Sequence, residues 1–239
     1  MPPTDIALAI THRLEQVRAD IAHTARQAGR RVEDIRLIAV SKTLPAAAVA
    51  AAVAAGQRDF GESTLQDALT KLPLFAQEPL HWHFIGHLQS NKAKLIPGHF
   101  AWLHSLDSAA LARRLSRTTQ ESGTHLQVLI EVNISGDARK HGVPTEALFP
   151  LMQELLHAPL PGIALRGLMA IGPHPASESQ QRSAFAAVRK LRDAVAQHYA
   201  LPGFTELSMG MSGDYRAAIQ EGSTMVRIGS AIFGERDYA

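Results

Sequence analysis

Apolar positions along the chain follow two periods. Near the start Ile6, Ile10, Leu14, Val17 and Ile21 recur at steps of four and three, one stripe on a helix, and Gly29 stands where that helix would be capped. Beyond it, short apolar runs alternate with helical stretches. Strands are predicted at 37–40, 58–61, 81–85, 102–106, 127–134, 163–171, 205–209 and 225–228. The run at 127–134 is the clearest, with Val128, Ile130, Val132 and Ile134 in period two. An alanine-rich helix at 46–55 is stopped by Gly56. Ser63 with Gln66 has capping-box spacing and opens a helix that ends about Leu72, before Pro73. A short helix is expected at 90–96, and one from Ser108 with Leu111 and Leu115 on a face. Leu148, Leu151 and Leu155 mark the next. Ser177 and Gln180 open a long amphipathic helix carrying Phe185, Val188, Leu191, Val195 and Tyr199. A helix at 214–221 capped by Gly222 and a short turn at 231–233 complete the pattern.

Eight strands in βαβ rhythm imply a parallel sheet. Eight such units favour a closed (β/α)₈ barrel of the TIM type, with an additional N-terminal helix, as a single domain over 1–239. A doubly wound sheet with fewer strands is the alternative.

Composition narrows the chemistry. The chain has 239 residues and no cysteine, which excludes a disulfide framework, cysteine-ligated metal and a cysteine nucleophile. The absence of cysteine fits a cytoplasmic location. With 24 Lys+Arg against 22 Asp+Glu, charge points to neither nucleic acid nor an anionic membrane. No apolar run is long enough to span a bilayer, and Asp5, His12, Arg13 and Glu15 interrupt any signal-peptide core. No long apolar surface stripe is left over, so a monomer is expected.

In such barrels chemistry sits where strands end. The first strand runs into Ser41 and Lys42. Burial at a barrel mouth lowers a lysine's pKa, and the neutral amine attacks aldehydes; the bland alternative is a lysine reaching solvent. The last strand ends in Gly229-Ser230, and the seventh in Ser208-Met209-Gly210-Met211-Ser212-Gly213. Two neighbouring Gly/Ser turns at this corner suit a phosphate. Arg227 alternates with Val226 and Ile228 and so points into the barrel, where it needs a partner: a ligand ring nitrogen, a carboxylate, or a structural ion pair. A Schiff-base lysine with an Asp or Arg at the pyridine nitrogen is the pattern of pyridoxal phosphate sites. An arginine would leave that nitrogen unprotonated and weaken the ring as an electron sink.

The segments Leu37-Ile-Ala-Val-Ser-Lys42-Thr, Phe60-Gly-Glu62, His81-Trp-His83-Phe-Ile-Gly86-His-Leu-Gln-Ser-Asn-Lys92, Arg166-Gly-Leu-Met-Ala-Ile171 and Gly222-Ser-Thr-Met-Val-Arg-Ile-Gly-Ser-Ala-Ile-Phe-Gly234 closely resemble the YggS/PROSC family of pyridoxal phosphate homeostasis proteins, over nearly the whole chain. The resemblance implies a barrel like the N-terminal domain of bacterial alanine racemase. It implies pyridoxal 5′-phosphate held as a Schiff base on Lys42, with Arg227 facing the pyridine nitrogen. Ser208, Gly229, Ser230 and the Met209 backbone would hold the phosphate, and His83 and Ser63 would line the ring. The family's Phe-Gly-Glu-Asn reads Ser63 at its last position, its two acidic residues after strand seven read Ser212-Gly213-Asp214, and its usual threonine reads Ser230.

Other motifs carry less. His81 and His83 share a strand face with His87 beyond, yet no acidic residue lies at ligand spacing, so no metal is expected. The turn at 210–213 lacks nucleophile-elbow spacing, and 86–92 lacks the second glycine of a P-loop. Arg113, Arg114 and Arg117 read as a solvated helix face. Two classes remain: a carrier that binds the cofactor and passes it to apo-enzymes, and an amino-acid racemase. A racemase needs a second acid/base group. Its relatives bring a tyrosine from a further domain expected to be absent here, and among Tyr199, Tyr215 and Tyr238 only Tyr215 is near the expected mouth. Binding is favoured over catalysis.

Overall fold

The structure is a computed structural model that describes residues 3–137 and 140–234; Tyr238 lies outside them. The elements in chain order are α1 (Pro3–Gln27), β1 (Arg36–Val40), α2 (Ala46–Ala54), β2 (Asp59–Glu62), α3 (Leu65–Lys71), β3 (His81–Phe84), β4 (Trp102–Leu106), α4 (Ala109–Ser122), β5 (Leu126–Asn133), β6 (Val143–Pro144), α5 (Leu148–His157), β7 (Ile163–Ala170), α6 (Glu178–His198), β8 (Glu206–Ser208), α7 (Tyr215–Gln220), β9 (Met225–Ile228) and α8 (Ser230–Phe233).

Eight strands close a parallel barrel in the order β1-β2-β3-β4-β5-β7-β8-β9, with β9 returning to β1 through Ile38 opposite Arg227. The expected (β/α)₈ barrel and its N-terminal helix are therefore present. β6, not foreseen, is a two-residue strand beside the end of β5.

Period two decides what each strand shows to each side. Ala39, Phe60, Phe84, Val128, Ile130, Leu168, Leu207, Val226 and Ile228 face the helices in the main core. A small separate cluster of Ile38, Leu129, Met169 and Met225 fills the lumen. The same inward rows carry polar groups, among them Arg36, Asp59, His83, His104, Ser208 and Arg227.

Local signals held at several ends. Ser108 caps α4 on Leu111 N–H, and Ser177 with Gln180 forms a reciprocal capping box on α6. The box expected at Ser63 is absent. Thr64, extended at φ −131°, is the cap and accepts from Asp67 N–H, so α3 starts one residue later. The Ser63 backbone instead packs on Gly86, where a Cβ would lie 2.0 Å from the Ser63 carbonyl oxygen. The helix expected at 90–96 is a 3₁₀ turn, Ser90–Leu95, and the strand at 205–209 shrinks to three residues. α1 lies across α2, α7 and α8. Its Arg18 donates to Ala55 O at 2.8 Å, and Arg30, just beyond its end, donates to Ile219 O and Ser223 O at 2.9 and 2.7 Å. No described helix is long and apolar enough to cross a membrane.

At the β7–β8 pairing, a Cβ on Gly167 would lie 1.9 Å from the Glu206 carbonyl oxygen. Backbone cannot yield as a flexible side chain can. Gly167→Ala is expected to cost about 3 kcal/mol of stability in urea unfolding, well above an exposed Gly→Ala change.

Candidate functional site

A cavity of about 750 Å³ opens at the C-terminal mouth of the barrel. Its size is that of a small-molecule site. Lys42 enters from the end of β1 and Arg227 from β9, with Gly229 and Ser230 just beyond. Met211, Ser212, Gly213 and Asp214 follow β8, and Ile171, Gly172 and His174 follow β7. Ile171 and Met211 are 38% and 39% exposed, an apolar lip at the opening. The two Gly/Ser turns meet: Ser212 Oγ accepts from Ala231 N–H at 3.3 Å. A Cβ on Gly229 would touch Val40 O at 3.4 Å, so this turn packs directly on the strand that delivers Lys42.

The backbone on both sides of Lys42 is fixed from outside the barrel wall. Lys71, on α3 and only 3% exposed, donates to Ser41 O at 2.8 Å, Glu62 Oε1 at 2.8 Å and Asp67 Oδ2 at 2.9 Å. Ser41 Oγ donates to the same Glu62 oxygen at 2.6 Å. Asp67 Oδ2 also accepts from Thr43 N–H at 2.6 Å. Thr43 holds a left-handed backbone at φ +63°, unfavourable for a β-branched residue, and this bond helps to hold it there. Burial would raise the Asp67 pKa, but the Lys71 and Thr43 hydrogen bonds outweigh it and the pKa is lowered. Glu62 goes the other way: burial raises its pKa against the bonds from Lys71 and Ser41, and its Oε2 is buried without a partner among the described residues.

Arg227, 4% exposed, forms the floor. Its Nη1 donates to Ser208 O and Ser208 Oγ, both at 2.7 Å, and its Nη2 donates to Ala170 O at 3.1 Å. A guanidinium has five N–H donors, so Nε–H and one Nη2–H are left in a side chain that lines the cavity. Burial lowers its pKa to about 10, opposed by Glu131 and Asp214, so it stays a cation at neutral pH. Glu131 is buried on β5, and burial raises its pKa to about 7, with Arg227 opposing and Asp107 adding to the rise.

The structure thus brings together Lys42, Arg227, Gly229 and Ser230. The other expected contacts stand elsewhere. Ser208 is fully buried beneath the floor, its hydroxyl committed to Arg227 and His104, and it does not line the cavity. Met209 points outward into the core, and its N–H is taken by Met225 O at 3.1 Å. His83 is fully buried in the lumen, bonded to Asp59 and His104, and Ser63 lies under Gly86. Tyr215, weighed as an acid, sends its hydroxyl to Asp20 on α1 rather than into the cavity. That bond to a carboxylate adds to burial and raises its pKa to about 12. Sequence reasoning did not single out Glu131, although its place between Ile130 and Val132 aims it inward by the rule that aimed Arg227.

Comparison with known proteins returns the same barrel fold. The profile of the alanine racemase N-terminal domain matches residues 14–237. A pyridoxal phosphate homeostasis protein of Vibrio cholerae is 45% identical over 235 residues, 97% of this chain and 98% of the relative. One of Pseudomonas aeruginosa is 48% identical over 229 residues, 96% of each. Among solved structures, PipY of Synechococcus elongatus with PLP bound gives a TM-score of 0.79 at 36% identity, covering 94% of this chain and 100% of that one. Alanine racemase of Corynebacterium glutamicum shares the fold, with a TM-score of 0.67 at 20% identity over 98% of this chain and 62% of that one. The chain belongs to the alanine racemase N-terminal-domain family. Within it, the chain falls with the pyridoxal phosphate homeostasis proteins, the group its motifs resemble.

Two outcomes follow for the groups around the site. Lys71→Met strands two carboxylates beside Ser41 and Thr43 and is expected to lower stability by about 3 kcal/mol in urea titration. For Glu131, both folded and unfolded chains are protonated at low pH, and both are ionised above pH 7. Between the unfolded value and 7 the folded state holds the proton longer, so its contribution to stability falls as pH rises. The loss is about 3 kcal/mol, and Glu131→Gln is expected to flatten that part of the stability–pH curve.

Proposed function

We propose that this protein binds pyridoxal 5′-phosphate in the mouth cavity, as a Schiff base on Lys42, and acts in intracellular homeostasis and delivery of that cofactor. The observation that carries the reading is the cavity itself, lined by Lys42, by Arg227 at the floor and by the two Gly/Ser turns. The cofactor supplies an aldehyde carbon, with which the Lys42 amine condenses with loss of water.

The residues present fit such a group. Gly229, Ser230, Ser212 and Gly213 offer small side chains, backbone N–H groups and hydroxyls to a phosphate. Arg227 keeps two N–H donors for the floor and, being unable to accept a proton, favours an unprotonated ring nitrogen there. That favours holding the cofactor over using it as an electron sink. The bond of Tyr215 to Asp20 also supports a carrier over a racemase, since it takes the candidate acid away from the mouth. The cavity opens past Ile171 and Met211, which suits exchange with amino acids or with lysines of apo-enzymes. A monomer serves such exchange.

The test is the visible absorption spectrum of the protein with pyridoxal 5′-phosphate beside that of Lys42→Ala. A Schiff-base band is expected in the parent, with its loss and loss of cofactor retention on gel filtration in the variant. A band of full strength in Lys42→Ala overturns the assignment.

A further inference from the structure

Beneath Arg227 the lumen holds a continuous line of polar side chains from five strands. Arg227 Nη1 lies 2.7 Å from Ser208 Oγ, and Ser208 Oγ lies 2.8 Å from His104 Nδ1. His104 Nε2 lies 2.9 Å from His83 Nδ1, and His83 Nε2 lies 3.0 Å from Asp59 Oδ1. Ser208, His104 and His83 are fully buried. Asp59 sits where β2 begins, at the opposite end of the barrel from the cavity, with Arg36 Nε at 3.6 Å and the exposed His81 Nδ1 also at 3.6 Å. Arg36 in turn lies over the Trp102 ring, 5.3 Å from its centroid.

The two ends dictate where every hydrogen sits. A guanidinium can only donate, so Ser208 Oγ accepts from Arg227. A carboxylate can only accept, so His83 carries a hydrogen on the Nε2 that faces Asp59. Burial, with Arg227 adding, holds the His104 pKa well below its usual value, and burial lowers that of His83 against Asp59. Both rings are uncharged at neutral pH, so His83 Nδ1 presents a lone pair and accepts from His104 Nε2–H, and His104 Nδ1 accepts the Ser208 hydroxyl hydrogen. His83 carries its own on Nε2 and donates to Asp59. The line has one direction, and reversing it would set the His83 Nε2 lone pair against the Asp59 carboxylate.

We propose that Asp59, His83, His104 and Ser208 form a one-way hydrogen-bond relay that positions Arg227, so that the far end of the barrel sets which N–H groups the guanidinium presents to the cavity. These four are positioning residues, and the proposal rests on the reading of Arg227 as the group facing the bound ring. Ser208 takes both hydrogens of Nη1 through its carbonyl and hydroxyl oxygens, and Ala170 takes one of Nη2. The guanidinium cannot turn without giving up one of these. In a low-dielectric lumen each link polarises the next, which stiffens the whole line.

The test has two arms. In ¹⁵N-histidine-labelled full-length protein without added cofactor, at neutral pH, His83 and His104 are both expected to show a protonated Nε2 and an unprotonated Nδ1. An Nδ1–H form or an imidazolium at either ring overturns the relay, whatever the protein does with cofactor. In the second arm Asp59→Asn, which keeps an acceptor for His83, is expected to preserve both tautomers, and Asp59→Ala to lose them. Ser208→Ala, which cuts the line at Arg227, is expected to bind pyridoxal 5′-phosphate about tenfold more weakly while still forming the Schiff-base band. Unchanged affinity in folded Ser208→Ala overturns the positioning role. If the parent forms no band at all, the cofactor reading fails, and the tautomers still decide whether the relay exists.

Discussion

A guanidinium enclosed by strands must be answered by acceptors, and the lumen of this barrel is organised around that demand at Arg227. Leaving such a cation buried and unpaired would cost several kcal/mol. The answer is not one carboxylate beside it. Two carbonyl oxygens and a hydroxyl take its hydrogens directly, Glu131 and Asp214 favour its charge from a distance, and its hydroxyl partner leads through two histidines to Asp59. This is why inward rows that could have been aliphatic carry histidine, serine and aspartate, and why the apolar filling of the lumen shrinks to Ile38, Leu129, Met169 and Met225.

Lys42 is supported by a separate system on the other side of the same wall. Lys71 and Asp67 are bonded to the backbone on either side of it, at Ser41 O and Thr43 N–H, and Glu62 joins Lys71 to the Ser41 hydroxyl. The mouth therefore stands on two polar supports, one threading the lumen and one between β2 and α3. Each meets the cavity at a single side chain. Arg227 is held through its side chain, whereas Lys42 is held through the direction of its backbone.

The barrel was legible because period two and period 3.6 are written into separate stretches of the chain, and because Val226 and Ile228 aim Arg227 inward by alternation alone. The places of Lys42, Gly229 and Ser230 at the cavity were legible because they stand where strands end. The relay was not, because its members come from five strands and no sequence spacing brings Asp59, His83, His104, Ser208 and Arg227 together. Ser208 and His83 were marked as important, but assigned to the ligand rather than to the arginine beneath it. Lys71 was passed over because a lysine late in a short helix reads as surface. Ser63 lost its cap to Thr64 since both residue types can cap, and only the extended backbone at Thr64 decides between them.

α1 packs on α2 early in the chain and on α7 and α8 late in it, and Asp20 joins Tyr215 and Arg216 across separations of 195 and 196 residues. The stripe of Ile10, Leu14, Val17 and Ile21 therefore spans the seam where β9 closes on β1. During synthesis this stripe leaves the ribosome long before α7 and α8 exist. It must wait, half covered by α2, until nearly the whole barrel has been made. The helix that emerges first among the described elements is among the last to be buried, and the growing chain carries an apolar stripe half uncovered through most of its synthesis.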